Sequence, residues 1–160
     1  MTSIREHRFV ATDSAGEVSA LLWRPSRARA LYLFAHGAGA GMRHPFMESV
    51  AGRLADRNVA TLRYQFPYME AGRRGPNPAP ILVNTVRSAV AEASRLEPEL
   101  PLVAGGKSMG GRMTSTAAAE EALPNVIGLA FFGFPLHAPG RRSAERGAHL
   151  AHVGLPMLFL

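Results

Sequence analysis

The residue best suited to covalent chemistry in this chain is Ser108. It lies in Gly106-Lys107-Ser108-Met109-Gly110, a Gly-x-Ser-x-Gly pattern. The apolar segment Leu102-Val103-Ala104 runs directly into it, and a segment of helical composition, Met109 to Ala122, follows. A sharp turn from strand to helix carries a serine at its tip, with a strained backbone and an exposed hydroxyl. Side chains two residues before or after the serine would strike neighbouring backbone in so tight a turn, so Gly106 and Gly110 suit it. The N-terminus of the following helix favours negative charge developing beside the serine. The matching chemistry is nucleophilic attack on an acyl carbon.

Such an attack creates a tetrahedral oxyanion, which needs two preorganised N–H donors. The backbone N–H of Met109 is one candidate. The other comes from a second glycine-rich stretch, His36-Gly37-Ala38-Gly39-Ala40-Gly41, at the end of the apolar run Ala30 to Ala35. Ala38 is the first choice for this donor and Gly39 the alternative. Gly37 and Gly39 let that backbone come close to the serine. About 70 residues separate loop and serine, room for two strand–helix units between them.

Other readings of the glycines fail on spacing. A phosphate-binding P-loop needs a glycine where Pro101 stands, and a dinucleotide fingerprint needs one where Met42 stands. The chain has no cysteine, which excludes disulfides, zinc–thiolate sites and a cysteine nucleophile. No cofactor and no metal ion are expected. Lys107 reads as a solvated cation at the edge of the site. His36 either polarises the glycine loop or, the simpler role, fixes it by a hydrogen bond. Arg112 either meets an anionic substrate or pairs at the surface. Tyr64, Phe66 and Tyr68 read as core and loop packing, with a pocket wall as the alternative.

The elements that must hold these groups follow from patterning. Ile4 to Ala11 and Val18 to Trp23 alternate around Asp13-Ser14-Ala15-Gly16, a hairpin signal. Ala30 to Ala35 is apolar without alternation, as in a strand buried on both faces. Phe46, Val50 and Leu54 mark one face of a helix over Pro45 to Asn58. Val59 to Tyr64, Leu100 to Ala104, Val126 to Phe132 and Leu155 to Leu160 read as strands, and Ile81 to Leu96 as a helix. Residues 67 to 80, with Pro67, Pro76, Pro78 and Pro80, read as a loop, and 134 to 155 as irregular. Alternating strands and helices with continuous apolar strands predict an α/β fold: a mostly parallel sheet with helices on both faces and an N-terminal antiparallel hairpin.

Composition sets outer bounds. Hydrophobic residues make up 47% and charged residues 19%, enough apolar material for a core. Sixteen glycines and twelve prolines argue against a helical bundle or coiled coil. The net charge of +6 invites a nucleic-acid reading, but the arginines are scattered and not interleaved with aromatics as a base-stacking platform would be. No apolar run approaches the length of a membrane-spanning helix, and MTSIREHRFV has no apolar core of a secretory signal. The expected partner is a small-molecule acyl substrate in the cytoplasm, with neither nucleic acid nor membrane.

The two motifs together resemble the α/β-hydrolase superfamily. Within it, HGAGAG followed by His44-Pro45-Phe46, and GGKSMGGR, are similar to a dienelactone-hydrolase-like subgroup that includes the hydrolase-like domains of the testis-expressed and non-specific-lethal chromatin-complex proteins. The resemblance covers about residues 20 to 160 of a single domain spanning 1–160. It implies a serine hydrolase of carboxylic esters or similar acyl substrates, with Ser108 as nucleophile. The alternative it implies is a non-catalytic interaction module of hydrolase shape. Enzymes of this fold carry serine, acid and histidine in that chain order. After Ser108 this chain has only Glu120, Glu121 and Glu145 as acids, and His137, His149 and His152. The family's acid follows a strand equivalent to Leu155 to Leu160. The favoured expectation is a chain truncated at its C-terminal side, without its triad acid and base, and the alternative is a complete protein that has lost both; either way it is expected to be nearly inactive as it stands, with His137 the one stand-in base to consider.

Overall fold

The structure, a computed structural model, describes residues 2–160. Strands β1 (Ser3–Thr12) and β2 (Gly16–Arg24) form the predicted antiparallel hairpin, with Phe9 opposite Val18. Gly16 closes the turn at φ 78°, a conformation that costs glycine little. Then come β3 (Ala30–Ala35), α1 (Pro45–Ala55), β4 (Val59–Tyr64), the short α2 (Pro67–Glu70), α3 (Ala79–Leu96), β5 (Leu102–Lys107), α4 (Met109–Glu120) and β6 (Val126–Phe132). A 3-10 helix (Glu145–His152) and β7 (Met157–Phe159) complete the order.

The seven strands form one sheet in the order β1-β2-β4-β3-β5-β6-β7. The β1–β2 and β2–β4 pairs are antiparallel and the other four are parallel. The unalternating run of β3 has the reason its sequence suggested, because both faces are covered. Leu31, Leu33 and Ala35 join a core with Leu82, Val86 and Val90 of α3 and Met113 and Ala117 of α4. Tyr32 and Phe34 point the other way, onto Met47, Val50 and Leu54 of α1. From β3 the chain moves to one side to make β4, then crosses back to place β5 on the other side. The strand order thus reverses at β3/β5, where an open parallel sheet leaves a crevice beyond the carboxyl ends of its strands.

Several boundaries differ from the sequence reading. Residues 67 to 80, expected as loop, contain α2 and the start of α3. Pro67 and Pro80 stand in the first turns of these helices, where a missing N–H forfeits no intrahelical bond. Helix α1 stops at Ala55, and Asn58 adopts φ 60° before β4. Strand β5 continues through Gly105 and Gly106 to Lys107. A Cβ on Gly105 would lie 1.7 Å from the Ala130 carbonyl oxygen, so only glycine lets β6 pair there. The region expected as irregular contains the 3-10 helix, which packs on α4.

Candidate functional site

Ser108 stands between β5 and α4 with φ 52° and ψ −117°, a conformation strained for any residue with a side chain. The surroundings enforce it. The Ser108 N–H reaches the carbonyls of Phe132 and Gly133, each at 3.1 Å, and its own carbonyl accepts the Arg112 N–H at 3.1 Å. A Cβ on Gly106 would lie 2.5 Å from the Ala35 carbonyl oxygen, and one on Gly110 2.5 Å from that of His36. Both glycines are required by close approach of β3 to the turn. Met109 is the first helical residue, its side chain buried, and its N–H belongs to the first turn that a helix leaves without intrahelical acceptors.

The loop after β3 lies against this turn. A Cβ on Gly37 would sit 3.8 Å from Ser108 Cβ, whereas one on Gly39 would meet nothing within 4 Å. The loop therefore touches the turn at Gly37 by ordinary van der Waals contact, and space demands glycine at neither position. His36 is fully buried beneath the loop. Its Nδ1 is 2.7 Å from the Gly37 carbonyl oxygen, and its Nε2 is 3.0 Å from the Phe66 backbone nitrogen. Only the neutral tautomer with the proton on Nδ1 satisfies both, donating to Gly37 and accepting from Phe66. Burial pushes its pKa down to about 4, against a smaller opposing effect of the Gly37 hydrogen bond. His36 is thus a brace with no free lone pair.

The end of β4 and the residues after it supply the other braces. The Tyr68 hydroxyl donates to the Ala38 carbonyl at 2.7 Å, and burial raises its pKa to about 12. Gln65 Oε1 accepts the Met42 N–H at 2.9 Å, and Arg63 donates to the Met42 carbonyl at 3.1 Å. Tyr64, Phe66 and Tyr68 are buried and pack as core under the loop.

Between loop and elbow lies a cleft of about 240 Å³, lined by Gly37, Ala38, Gly39, Ala40, His44, Met47, Lys107 and Ser108. His44 and Met47 are additions that chain order alone did not reveal; both come from the start of α1, which the β3 loop feeds. His44 caps α1, its Nδ1 accepting the Phe46 N–H at 3.2 Å, which leaves the imidazole proton on Nε2. As a base it would have to give up that cap. Lys107, read as an edge cation, holds its ammonium 5.1 Å from the centroid of the Phe46 ring.

The remaining candidates lie elsewhere. His137 is exposed and hydrogen-bonds the Ala138 carbonyl at 3.1 Å. His149, in the 3-10 helix, bonds the buried Ser115 hydroxyl at 2.6 Å. Glu120 ends α4 and faces Arg87. Arg112 is half-buried; burial, and then the charge of Arg146, lower its pKa. Among the described residues no carboxylate is hydrogen-bonded to a histidine ring, and no cluster of three or more metal-binding side chains occurs. Nor is any helix among them long and apolar enough to cross a membrane.

Fold and site define a protein built on the α/β-hydrolase plan. The chain belongs to the alpha/beta hydrolase domain family, which matches residues 28–160. Its structure is similar to that of a dienelactone hydrolase from Anabaena variabilis (TM-score 0.80, 22% identity), covering 99% of this chain and 72% of that one. It is also similar to a cold-adapted esterase from an Arctic intertidal metagenomic library (TM-score 0.72, 17% identity, 99% and 71% covered). A thermostable carboxyl esterase from Bacillus coagulans gives a TM-score of 0.66 at 16% identity, with 82% of this chain and 44% of that one covered. No curated protein is significantly similar to the chain.

Proposed function

We propose that the chain carries the nucleophile and oxyanion-hole half of a serine hydrolase acting on carboxylic esters or similar small acyl substrates. The observation that carries this reading is the meeting of a strained, positive-φ serine at the β5–α4 turn with the braced glycine loop after β3, across one cleft. Ser108 Oγ attacks the acyl carbon, and the N–H groups of Ala38 and Met109 receive the developing oxyanion. Activation needs a base oriented by an acid, and among the described residues no carboxylate is hydrogen-bonded to a histidine ring, so these 160 residues alone are expected to turn over esters poorly. The motifs HGAGAG-x-x-HPF and GGKSMGGR support placement within the dienelactone-hydrolase-like subgroup, residues 1–160 acting as one domain.

The test is labelling of the full natural protein with a fluorophosphonate. A mass increment mapped to Ser108 and absent in Ser108→Ala is expected. A folded natural protein that stays unlabelled would overturn the reading and leave an interaction module of hydrolase shape. Rapid p-nitrophenyl ester hydrolysis through Ser108 by the 160-residue chain alone would oblige one of its own histidines to serve as base.

A further inference from the structure

A second cavity lies between α1 and the β1–β2 hairpin. Glu6, Leu21 and Arg63 stand in register across β1, β2 and β4, and they line it together with Ile4, Arg43 and Glu48. Its volume is about 330 Å³, at the lower end for small-molecule sites. Arg63 is only 3% exposed. Among the described residues it makes no ion pair, and its one hydrogen bond runs from Nη1 to the Met42 carbonyl. Its Nε is buried without a partner. Burial lowers its pKa, against the opposing charge of Glu48. A buried charge with so few partners is costly until an acceptor meets it. Arg43 and Glu6 already pair with each other. Glu48 is exposed and, among the described residues, makes no ion pair. The cavity therefore offers one unmatched cation, one unmatched carboxylate and two apolar side chains, Ile4 and Leu21. A simple anion would answer Arg63 and leave Glu48 facing a like charge. The complement of the whole set carries a carboxylate, an ammonium and an apolar group.

We propose that this cavity binds a free aliphatic α-amino acid as its zwitterion, with Arg63 holding the carboxylate, Glu48 the ammonium, and Ile4 and Leu21 the side chain. The site shares no lining residue with the cleft at Ser108 and asks nothing of the hydrolase reading. It touches the loop after β3 through the bond from Arg63 to Met42. The test is binding. L-leucine, L-leucinamide, which lacks the carboxylate, and N-acetyl-L-leucine, which lacks the ammonium, are titrated into the isotope-labelled protein and followed by amide shifts.

L-leucine is expected to bind about tenfold more tightly than either analogue, as charge-assisted contacts at both ends allow, with shifts at Leu21, Met42 and Arg63. Arg63→Met should erase its advantage over leucinamide. Replacing a buried charge by an apolar side chain of similar length leaves the fold intact, and the thermal unfolding of the variant checks this. Glu48→Gln, at an exposed position, should erase its advantage over N-acetyl-leucine and leave the fold untouched. Equal binding of the three compounds, no saturable shift with L-leucine up to about 10 mM, shifts centred on Gly37 and Met109, or a preference that survives both substitutions would each overturn the proposal. Failure of Ser108 to react with a fluorophosphonate would count against the hydrolase reading alone and leave the binding result standing.

Discussion

The buried imidazole of His36 makes the stability of this protein depend on pH in a way that can be measured. Its pKa is held at about 4 by burial, against 6.5 when unfolded. Between these values the unfolded chain binds a proton that the folded chain refuses. Stability from this group is complete above pH 6.5 and is lost as pH falls towards 4. At ~1.4 kcal/mol for each pH unit, the interval corresponds to about 3 kcal/mol, a large share of the 5–15 kcal/mol on the order of which domains are stable. Urea unfolding from pH 7.5 to 4, followed by fluorescence of the single tryptophan, Trp23, gives the profile. His36→Gln supplies a non-titrating reference that shares every other ionisable group. The variant is expected to start less stable, because one of the two buried hydrogen bonds is compromised. Its profile should then fall less steeply, closing the gap by about 3 kcal/mol by pH 4. Profiles that run parallel would show that folded His36 binds its proton as readily as unfolded His36, and the reading of a buried imidazole kept neutral between Gly37 and Phe66 would be wrong.

Four further outcomes follow from the packing around the site. Gly106→Ala and Gly110→Ala, whose added Cβ would meet the Ala35 and His36 carbonyl oxygens at 2.5 Å, should each cost about 3 kcal/mol in denaturant unfolding. Gly39→Ala, in open space, should stay within about 0.5 kcal/mol. Ser108→Gly should be more stable than Ser108→Ala by about 1 kcal/mol, because glycine relieves the positive φ; thermal unfolding of the pair decides it. Tyr68→Phe removes the hydroxyl that holds the Ala38 carbonyl, with an expected cost of about 1 kcal/mol in urea unfolding and slower fluorophosphonate labelling of the natural protein.

Much of this architecture was legible along the chain because it rests on local rules. Alternation marked the β1–β2 hairpin, an unbroken apolar run marked β3, and glycines flanking Ser108 marked the turn, each a consequence of neighbours in sequence. The prolines misled for an equally local reason: Pro67 and Pro80 break a helix interior but are harmless in a first turn, and residue type alone does not say which applies. Gly105 looked like the end of a strand because its need is set by Ala130, a residue 25 positions away on a neighbouring strand.

The contents of the cleft were decided by tertiary structure alone. Hydrogen bonds between residues far apart in the chain set the strand order, and that order brings the β3 loop and the β5 turn to the same end of adjacent strands. His44, Met47 and Lys107 share a cavity only because α1 starts where that loop ends. The proton on His36 is placed by the Phe66 N–H from another strand's end. Side-chain chemistry and short-range spacing are carried by the residues themselves; which lone pairs are spent, and which charges are left facing one another, depends on partners that only the closed fold supplies.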